Sequence, residues 1–287
     1  MRTHKRSPSS VCMRPLTNGN SLNPPLKWAG GKRWQLPHLK QFWDRENHRR
    51  LVEPFCGGLA VSLGLMPPRA FLNDINPHLI NFYFWLRRGL KISIEMDYDE
   101  ALFYRHRSRF NEVLRQGKST RKEAASLFYY LNRTAYNGLC RFNRQGEFNV
   151  PFGKYSDVKY RRDFTSYKRA LSNWEFTNGP FWEVVLKRDD FVYADPPYDV
   201  EFTQYSKEGF GWHDQVRIAE MLAGHEGPVI LANQATRRIV KLYRDLGYQL
   251  IKLDAPRRIS CTGDRSLAKE VLALRNLDPR ISQYRAR

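Results

Sequence analysis

Between residues 77 and 133 the apolar positions recur every three or four residues. In "PHLINFYFWLRRGL", "DEALFYRHRSRFNEVLRQG" and "KEAASLFYYLNR" this period is helical, and no strand pattern interrupts it. The flanks are patterned differently. Before this stretch, the short apolar run "RRLVEPF" leads into a glycine turn and helix at "CGGLAVSLGL", and the next run, "RAFLNDIN", reads as a strand ending in Asp74. From residue 161 onward helix and strand alternate. The order is helix in "DFTSYKRALSN", strand in "WEFTNG", helix in "FWEVVLKR", strand in "DFVYADPPY", helix in "WHDQVRIAEMLAGH", strand in "PVILANQ" and helix in "TRRIVKLYRDLG". Two strands follow, "YQLIKLDAPRR" and "KEVLALRN", with no helix between them.

Such alternation predicts an α/β fold, a mostly parallel Rossmann-like sheet with helices on both faces. The last two strands are expected to pair as an antiparallel hairpin at its edge. The sheet domain is then discontinuous, residues 25–76 and 161–277, and residues 77–160 form a mainly helical insertion. The end of that insertion, "YNGLCRFNRQGEFNVPFGKY", is punctuated by glycine and asparagine with aromatics between, which predicts an exposed hairpin over residues 136–153. Residues 1–24 carry Arg2, Lys5, Arg6 and Arg14 without an acid and read as a flexible basic arm; residues 278–287 read as a basic tail.

Composition narrows the classes. No stretch approaches the ~20 uninterrupted apolar residues that a membrane-spanning helix needs. Cys12, Cys56, Cys140 and Cys261 stand far apart, make no C-x-x-C pair and follow no secretory signal, so a reducing, cytoplasmic setting is expected, without disulfides or zinc. The seven histidines show no H-x-x-x-H spacing, so no metal site is expected. Charge changes the picture most. Lys and Arg total 48 against 29 Asp and Glu, a formal +19, which favours a polyanionic partner because neutralising phosphates releases counterions. A generally basic surface is the plainer reading of the same number. Aromatics at 14% add stacking surfaces beside the charge, which suits nucleic acid better than an acidic protein.

Three short motifs carry candidate chemistry. "KWAGGK", residues 27–32, puts two adjacent glycines and a flat Trp28 between lysines, a loop whose backbone can approach a ligand closely. "EPFCGGLAV", residues 53–61, joins a strand to a helix, so Gly57 and Gly58 bring backbone amides and a helix N-terminus toward a bound cofactor. Asp74, at the end of the next strand, stands where nucleoside-binding sheets keep an acid for ribose hydroxyls. The third is "DPPY", residues 195–198. The exocyclic amine of a nucleobase is a poor nucleophile because its lone pair is delocalised into the ring. The Asp195 carboxylate and the Pro196 carbonyl, aimed at its hydrogens, would turn the lone pair outward, and Tyr198 would stack on the extruded base. D-P-P also serves as a simple strand stop.

With these motifs in this order, the chain resembles the Dam-type (D12 class, alpha group) DNA adenine-N6 methyltransferases. The resemblance runs from about residue 24 to 277, on "LKWAGGK", "VEPF", "NDIN", "LNRTAYNGLCRFNRQGEFNVPFGKY", "ADPPY" and "RRIS". It implies direct methyl transfer from S-adenosylmethionine to a flipped adenine in double-stranded DNA, within GATC, by a monomer, with no covalent enzyme–base intermediate. It makes residues 77–160 the target-recognition domain. Trp28, Lys32, Phe55, Gly57, Asp74 and Asp195 then match cofactor positions, and Asp195, Pro196 and Tyr198 the catalytic tetrapeptide. Tyr136 matches a wedge into the base stack, with Asn137 beside it to hold the opened duplex. Leu139 and Pro151 match contacts to a thymine methyl, Arg141 a guanine reader and Lys27 a lysine on the outer guanine.

One position departs from the family pattern. The usual F-x-G-x-G turn appears as Phe55-Cys56-Gly57-Gly58-Leu59, with leucine at the second glycine position. The competing readings are amino methylation of cytosine N4 or of an RNA base, and a non-catalytic DNA-binding protein on the same scaffold; intact "DPPY" and "KWAGGK" argue against the last. Cys56 and Cys140 read as packing residues, and Trp85, Trp174 and Trp182 as core. Residues 202–214 read as a mobile loop whose Tyr205 and Phe210 are candidates to touch the adenine.

Overall fold

The structure, a computed structural model, describes residues 22–199, 209–255 and 268–280. Among these, seven strands make one sheet: β1 (Leu51–Glu53), β2 (Ala70–Asp74), β3 (Trp174–Asn178), β4 (Phe191–Ala194), β5 (Val229–Gln234), β6 (Gln249–Ala255) and β7 (Ala268–Arg275). Their order is β3-β2-β1-β4-β5-β7-β6. The first five pair in parallel, and β7 runs antiparallel to both neighbours. The predicted hairpin therefore forms, with its second strand slotted between β5 and β6. This is the expected α/β architecture, a mostly parallel, Rossmann-like sheet with helices on both faces.

Strands buried on both faces should be continuously apolar, and the central ones are. Leu51, Phe191, Tyr193, Ile230, Ala232, Leu272 and Leu274 enter one core, and Val52, Val192, Ala194, Val229, Leu231, Val271 and Ala273 the other. Alternate residues thus serve opposite faces, the period of two that a pleated strand imposes. The second core is closed by α7 (Trp212–Ala223) and α8 (Arg237–Asp245), through residues such as Ile218, Leu222, Ile239 and Tyr243. The first is closed by α1 (Leu36–Glu46), α2 (Ala60–Leu65) and α3 (Pro77–Arg87). Of these, α1 is an addition to the elements the sequence pattern predicts.

The three helical segments of residues 77–133 appear as α3, α4 (Glu100–Arg115) and α5 (Lys122–Thr134). Asn76 caps α3 by accepting from the amides of His78 and Leu79, and Asp99 caps α4 through Leu102. Phe103, Phe110 and Phe128 continue the first core out from the sheet, and Phe82 of α3 stacks on Tyr129 of α5 at 5.7 Å. The chain returns to the sheet through α6 (Thr165–Ala170), which packs on α3.

Two expectations need correction. "FWEVVLKR" is not a helix; only Phe181–Glu183 make a 3-10 turn, and Val185 is 75% exposed. Residues 179–190 must pass from β3 over β2 and β1 to β4, about three strand spacings or ~14 Å, as well as return along the sheet. Eight helical residues would advance only ~12 Å, so extended backbone makes the crossing. Trp182 is also not core; it is 43% exposed, with the Arg217 guanidinium 4.2 Å over its ring.

The end of this crossing is fixed by Arg50, which donates to both carboxylate oxygens of buried Asp190 at 2.9 and 2.6 Å. Asp190→Ala leaves that guanidinium buried without its partner. It should lower unfolding free energy by about 3–5 kcal/mol, read by chemical denaturation. A loss below about 1 kcal/mol would show that the pair does not hold the crossing.

Candidate active site

The carboxyl ends of β1, β2 and β4 open onto one cleft of about 980 Å³. Every residue nominated for catalysis or the cofactor lines it: Trp28, Lys32, Phe55, Gly57, Asp74, Asp195, Pro196 and Tyr198. The glycine turn after β1 is shaped by Trp28. A Cβ at Gly57 would stand 3.0 Å from Trp28 Nε1, and one at Gly58 would stand 2.8 Å from Trp28 Cβ. Gly57 also has φ 43°, in the left-handed region. Its amide donates to Asp74 Oδ2 at 3.0 Å, while the Asn76 amide donates to Oδ1 at 2.9 Å. Burial pushes the Asp74 pKa up, and these two donors work against that rise. Phe55 packs on Phe181 at 5.3 Å and on Phe210 at 5.5 Å, so Phe210 forms part of the cleft wall. Tyr205 lies outside the described residues.

Leu59 keeps the turn that the sequence put in question. Its backbone is left-handed, φ 60° and ψ 27°, at the N-cap of α2, and its side chain is fully buried. The conformation costs a leucine about 1–2 kcal/mol, and burial of the isobutyl group offsets it.

At the end of β4, Asp195 Oδ2 stands 3.2 Å from Lys32 Nζ, which also donates to the Gly30 carbonyl at 2.9 Å. Among the described residues, the buried Asp195 Oδ1 has no hydrogen-bond partner. Burial holds the Asp195 pKa up at about 6; Lys32 pulls it down, and the Glu270 charge pushes it further up. The Lys32 ammonium lies 4.4 Å over the Tyr198 ring.

The nominated DNA contacts gather away from this cleft, on the turn after α5 and the loop it meets. Tyr136 and Leu139 are 50% and 41% exposed, and Asn137, Arg141 and Pro151 are exposed too. The chain doubles back here, with bridges Ala135 to Phe152 and Phe142 to Phe148, and the Tyr136 amide donates to the Pro151 carbonyl at 2.9 Å. Asn137 and Gly138 are both left-handed, which lifts Tyr136 out of the chain path. The Tyr155 hydroxyl braces this turn, donating to Ala135 O at 2.6 Å and accepting from the Gly138 amide at 3.0 Å. Arg141 uses two of its donors across the hairpin, to Asn149 Oδ1 at 2.8 Å and Asn149 O at 3.3 Å.

Lys27 comes to the same place but points inward. Its ammonium donates to Arg133 O at 2.9 Å and sits 3.3 Å over the Tyr155 ring; burial and then the Arg133 charge lower its pKa to about 8.

A family model of the D12 class N6 adenine-specific DNA methyltransferases matches residues 28–259. The chain is 34% identical over 265 residues to the retron Ec67 DNA adenine methylase of Escherichia coli, covering 87% of this chain and 90% of that one. It is 32% identical over 269 residues to the DNA adenine methylase of Escherichia coli strain K12, and over 270 residues to that of Vibrio cholerae serotype O1, with 87% of this chain and 94% of each relative covered. The chain belongs to the D12 class of N6 adenine-specific DNA methyltransferases.

The cleft of this methyltransferase contains acids that sequence reasoning did not nominate. Glu53, at the end of β1, is buried and accepts from the Ser62 hydroxyl; burial pushes its pKa up to about 8. An apolar strand ending in an acid, as β4 does, was the available signal. Glu270 of β7 also lines the cleft, although "KEVLALRN" reads only as a terminal strand. Only the insertion of β7 beside β5 brings it there.

Leu59→Gly in this methyltransferase relieves the left-handed strain but deletes a buried side chain. The net result should be a loss of about 1–3 kcal/mol in stability, read by thermal or chemical unfolding. A gain in stability would show that strain, not packing, dominates at the turn.

Proposed function

We propose that this methyltransferase holds S-adenosylmethionine in the cleft and methylates N6 of an adenine extruded from duplex DNA, within GATC. The observation that carries the reading is one cavity containing both Asp195, whose Oδ2 faces Lys32 and whose Oδ1 has no partner among the described residues, and the glycine turn tied to Asp74. The residues fit that donor. Asp74 offers acceptors for ribose hydroxyls, the Gly57 turn admits close approach by a ligand, and Phe55 and Trp28 offer apolar faces. Bound there, S-adenosylmethionine supplies an electrophilic methyl group.

The chain's own part is to prepare the amine. Asp195 and the Pro196 carbonyl accept the two amine hydrogens, which localises the nitrogen lone pair and directs it outward. Tyr198 stacks on the extruded base. On the other surface, Tyr136 fills the gap left in the base stack and Asn137 holds the opened duplex. Arg141 reads guanine O6 and N7, and Leu139 and Pro151 read the thymine methyl. For Lys27 to reach an outer guanine, its ammonium must leave the Arg133 carbonyl and the Tyr155 ring. Residues 77–160 serve as the recognition part, and the enzyme acts as a monomer.

Incubating unmethylated plasmid with enzyme and S-adenosylmethionine, then mapping modified adenines by sequencing, tests reaction and site together. GATC adenines should carry the methyl group; modification spread over unrelated sequences would overturn the site assignment. Asp195→Ala should abolish methylation while duplex binding stays within about threefold, since the carboxylate would meet the DNA at the extruded base alone. Normal turnover by that variant would remove Asp195 from the chemistry.

A protonated carboxyl accepts an amine hydrogen much more weakly than a carboxylate and carries no charge to balance the positive charge that builds on the nitrogen, so kcat/KM should rise with pH through about 6, where Asp195 loses its proton. A flat profile from pH 5 to 7.5 would contradict this role. Arg141→Ala should relax discrimination at one base pair by about 1–3 kcal/mol, measured as kcat/KM on single-substituted duplexes. An unchanged preference would place the guanine reader elsewhere.

A further inference from the structure

Glu270 stands on the strand that runs against the others, with its side chain buried at the wall of the cleft. Its Oε2 accepts two hydrogen bonds of 2.7 Å, one from the Tyr198 hydroxyl and one from Gln35 Nε2. Gln35 Oε1 in turn accepts from the Tyr193 hydroxyl at 2.8 Å. Both Gln35 and Tyr193 are buried, so the network is shielded from solvent on the side away from the cleft. It joins three separate pieces of chain: the turn just after Lys32, the run from β4 into "DPPY", and β7.

Packing alone does not ask for an acid here. The next residues along β7, Val271 to Leu274, are all fully buried apolar side chains, and an apolar residue would cost less to bury than a carboxylate. What the carboxylate adds is a pair of charge-assisted acceptor contacts, one of them on the tyrosine of the tetrapeptide. The Lys32 ammonium covers one face of that tyrosine's ring. A ring fixed at its hydroxyl and covered on one side can present only its other face to a base.

We propose that Glu270 is a positioning residue for methyl transfer: it anchors the Tyr198 hydroxyl so that the ring presents a fixed face to the adenine, and it places a negative charge near Asp195. The inference rests on the roles given above to Tyr198 and Asp195. The groups facing Asp195 are Lys32, Glu53, Glu270 and the hydroxyls of Tyr193, Tyr198 and Tyr243. Glu53 holds its proton to about pH 8 and so adds no charge near pH 6. Glu270 is then the negative neighbour that works against the pull of Lys32 on Asp195.

The test compares wild type with Glu270→Gln, Glu270→Leu, Tyr198→Phe and the double variant Glu270→Leu with Tyr198→Phe. A one-site duplex is the substrate, S-adenosylmethionine binding is measured separately, and 2-aminopurine at the target position reports base stacking. Glu270→Leu should lower kcat about tenfold and change 2-aminopurine emission, with donor affinity within about twofold. Tyr198→Phe should act alike, and the double variant should lose little more than either single change.

Glu270→Gln keeps an acceptor oxygen, so kcat should return to within about threefold of wild type, while the acid limb of kcat/KM moves to lower pH. Additive losses in the double variant, a limb that stays in place in Glu270→Gln, or a defect confined to donor affinity would each overturn the proposal. If Glu270→Leu does not fold, the Glu270→Gln limb and Tyr198→Phe decide. A wild-type enzyme that leaves adenine unmodified overturns the underlying reading instead, and that outcome is visible before any variant is made.

Discussion

Asp195 keeps its charge out of water with one ammonium, that of Lys32, 3.2 Å away, and burial still holds its pKa up at about 6. Such a pair does little for stability, because removing both groups from water costs about as much as their attraction returns. Its demand is geometric. The loop at residues 27–32 must reach the end of β4, and Lys32 must arrive with its side chain buried. Gly30, at φ 74°, turns the loop so that its own carbonyl accepts from Lys32. Trp28, two residues earlier, lies against Gly57 and Gly58. The loop that delivers the cation and the glycine turn that lines the cleft therefore share one packing contact.

The same loop is fastened to the exposed turn. Asn132, fully buried near the end of α5, accepts from the Lys27 amide at 2.8 Å and donates to the Lys27 carbonyl at 2.7 Å and the Gly138 carbonyl at 3.3 Å. One side chain thus holds the backbone on both sides: the residue before Trp28 and the turn that presents Tyr136 and Asn137. Because α5 belongs to the core that continues to the sheet, neither side can shift without disturbing close packing. A distortion of the exposed turn therefore reaches Trp28 through a backbone clamp, a much shorter route than the path through the helices.

What the sequence discloses is whatever depends on neighbours in the chain. The apolar run ending in Asp-Pro-Pro, the glycine turn before α2 and the helical period of residues 77–133 are local patterns, and each appears where the residues place it. What it conceals depends on which strand lies beside which. Glu270 reaches the cleft only because β7 inserts next to β5. "FWEVVLKR" has a plausible helical pattern, but the crossing from β3 to β4 is too long for a helix of that size. Lys27 reads as a free cation in "KWAGGK", yet its ammonium is folded over Tyr155, more than a hundred residues away in sequence. Leu59 shows the reverse case. The substitution was visible at once, but only the buried side chain shows how a left-handed turn survives without glycine.

Glu53 and Asp195 end neighbouring parallel strands, β1 and β4, and both are carboxyl groups in the same poorly hydrated cleft. Burial raises both, and the Asp195 charge raises Glu53 further. They separate because their partners differ: Glu53 has the Ser62 hydroxyl, and Asp195 has the Lys32 ammonium. The result is about 8 for one and about 6 for the other. Between those values Asp195 is ionised and Glu53 keeps its proton. Acids pushed apart in this way can take different tasks on one surface. Of the two, only Asp195 is then charged, and the Lys32 ammonium is what holds it apart from Glu53. The loop at residues 27–32, held from Trp28 and Asn132, therefore decides which of the two acids carries the charge in the cleft.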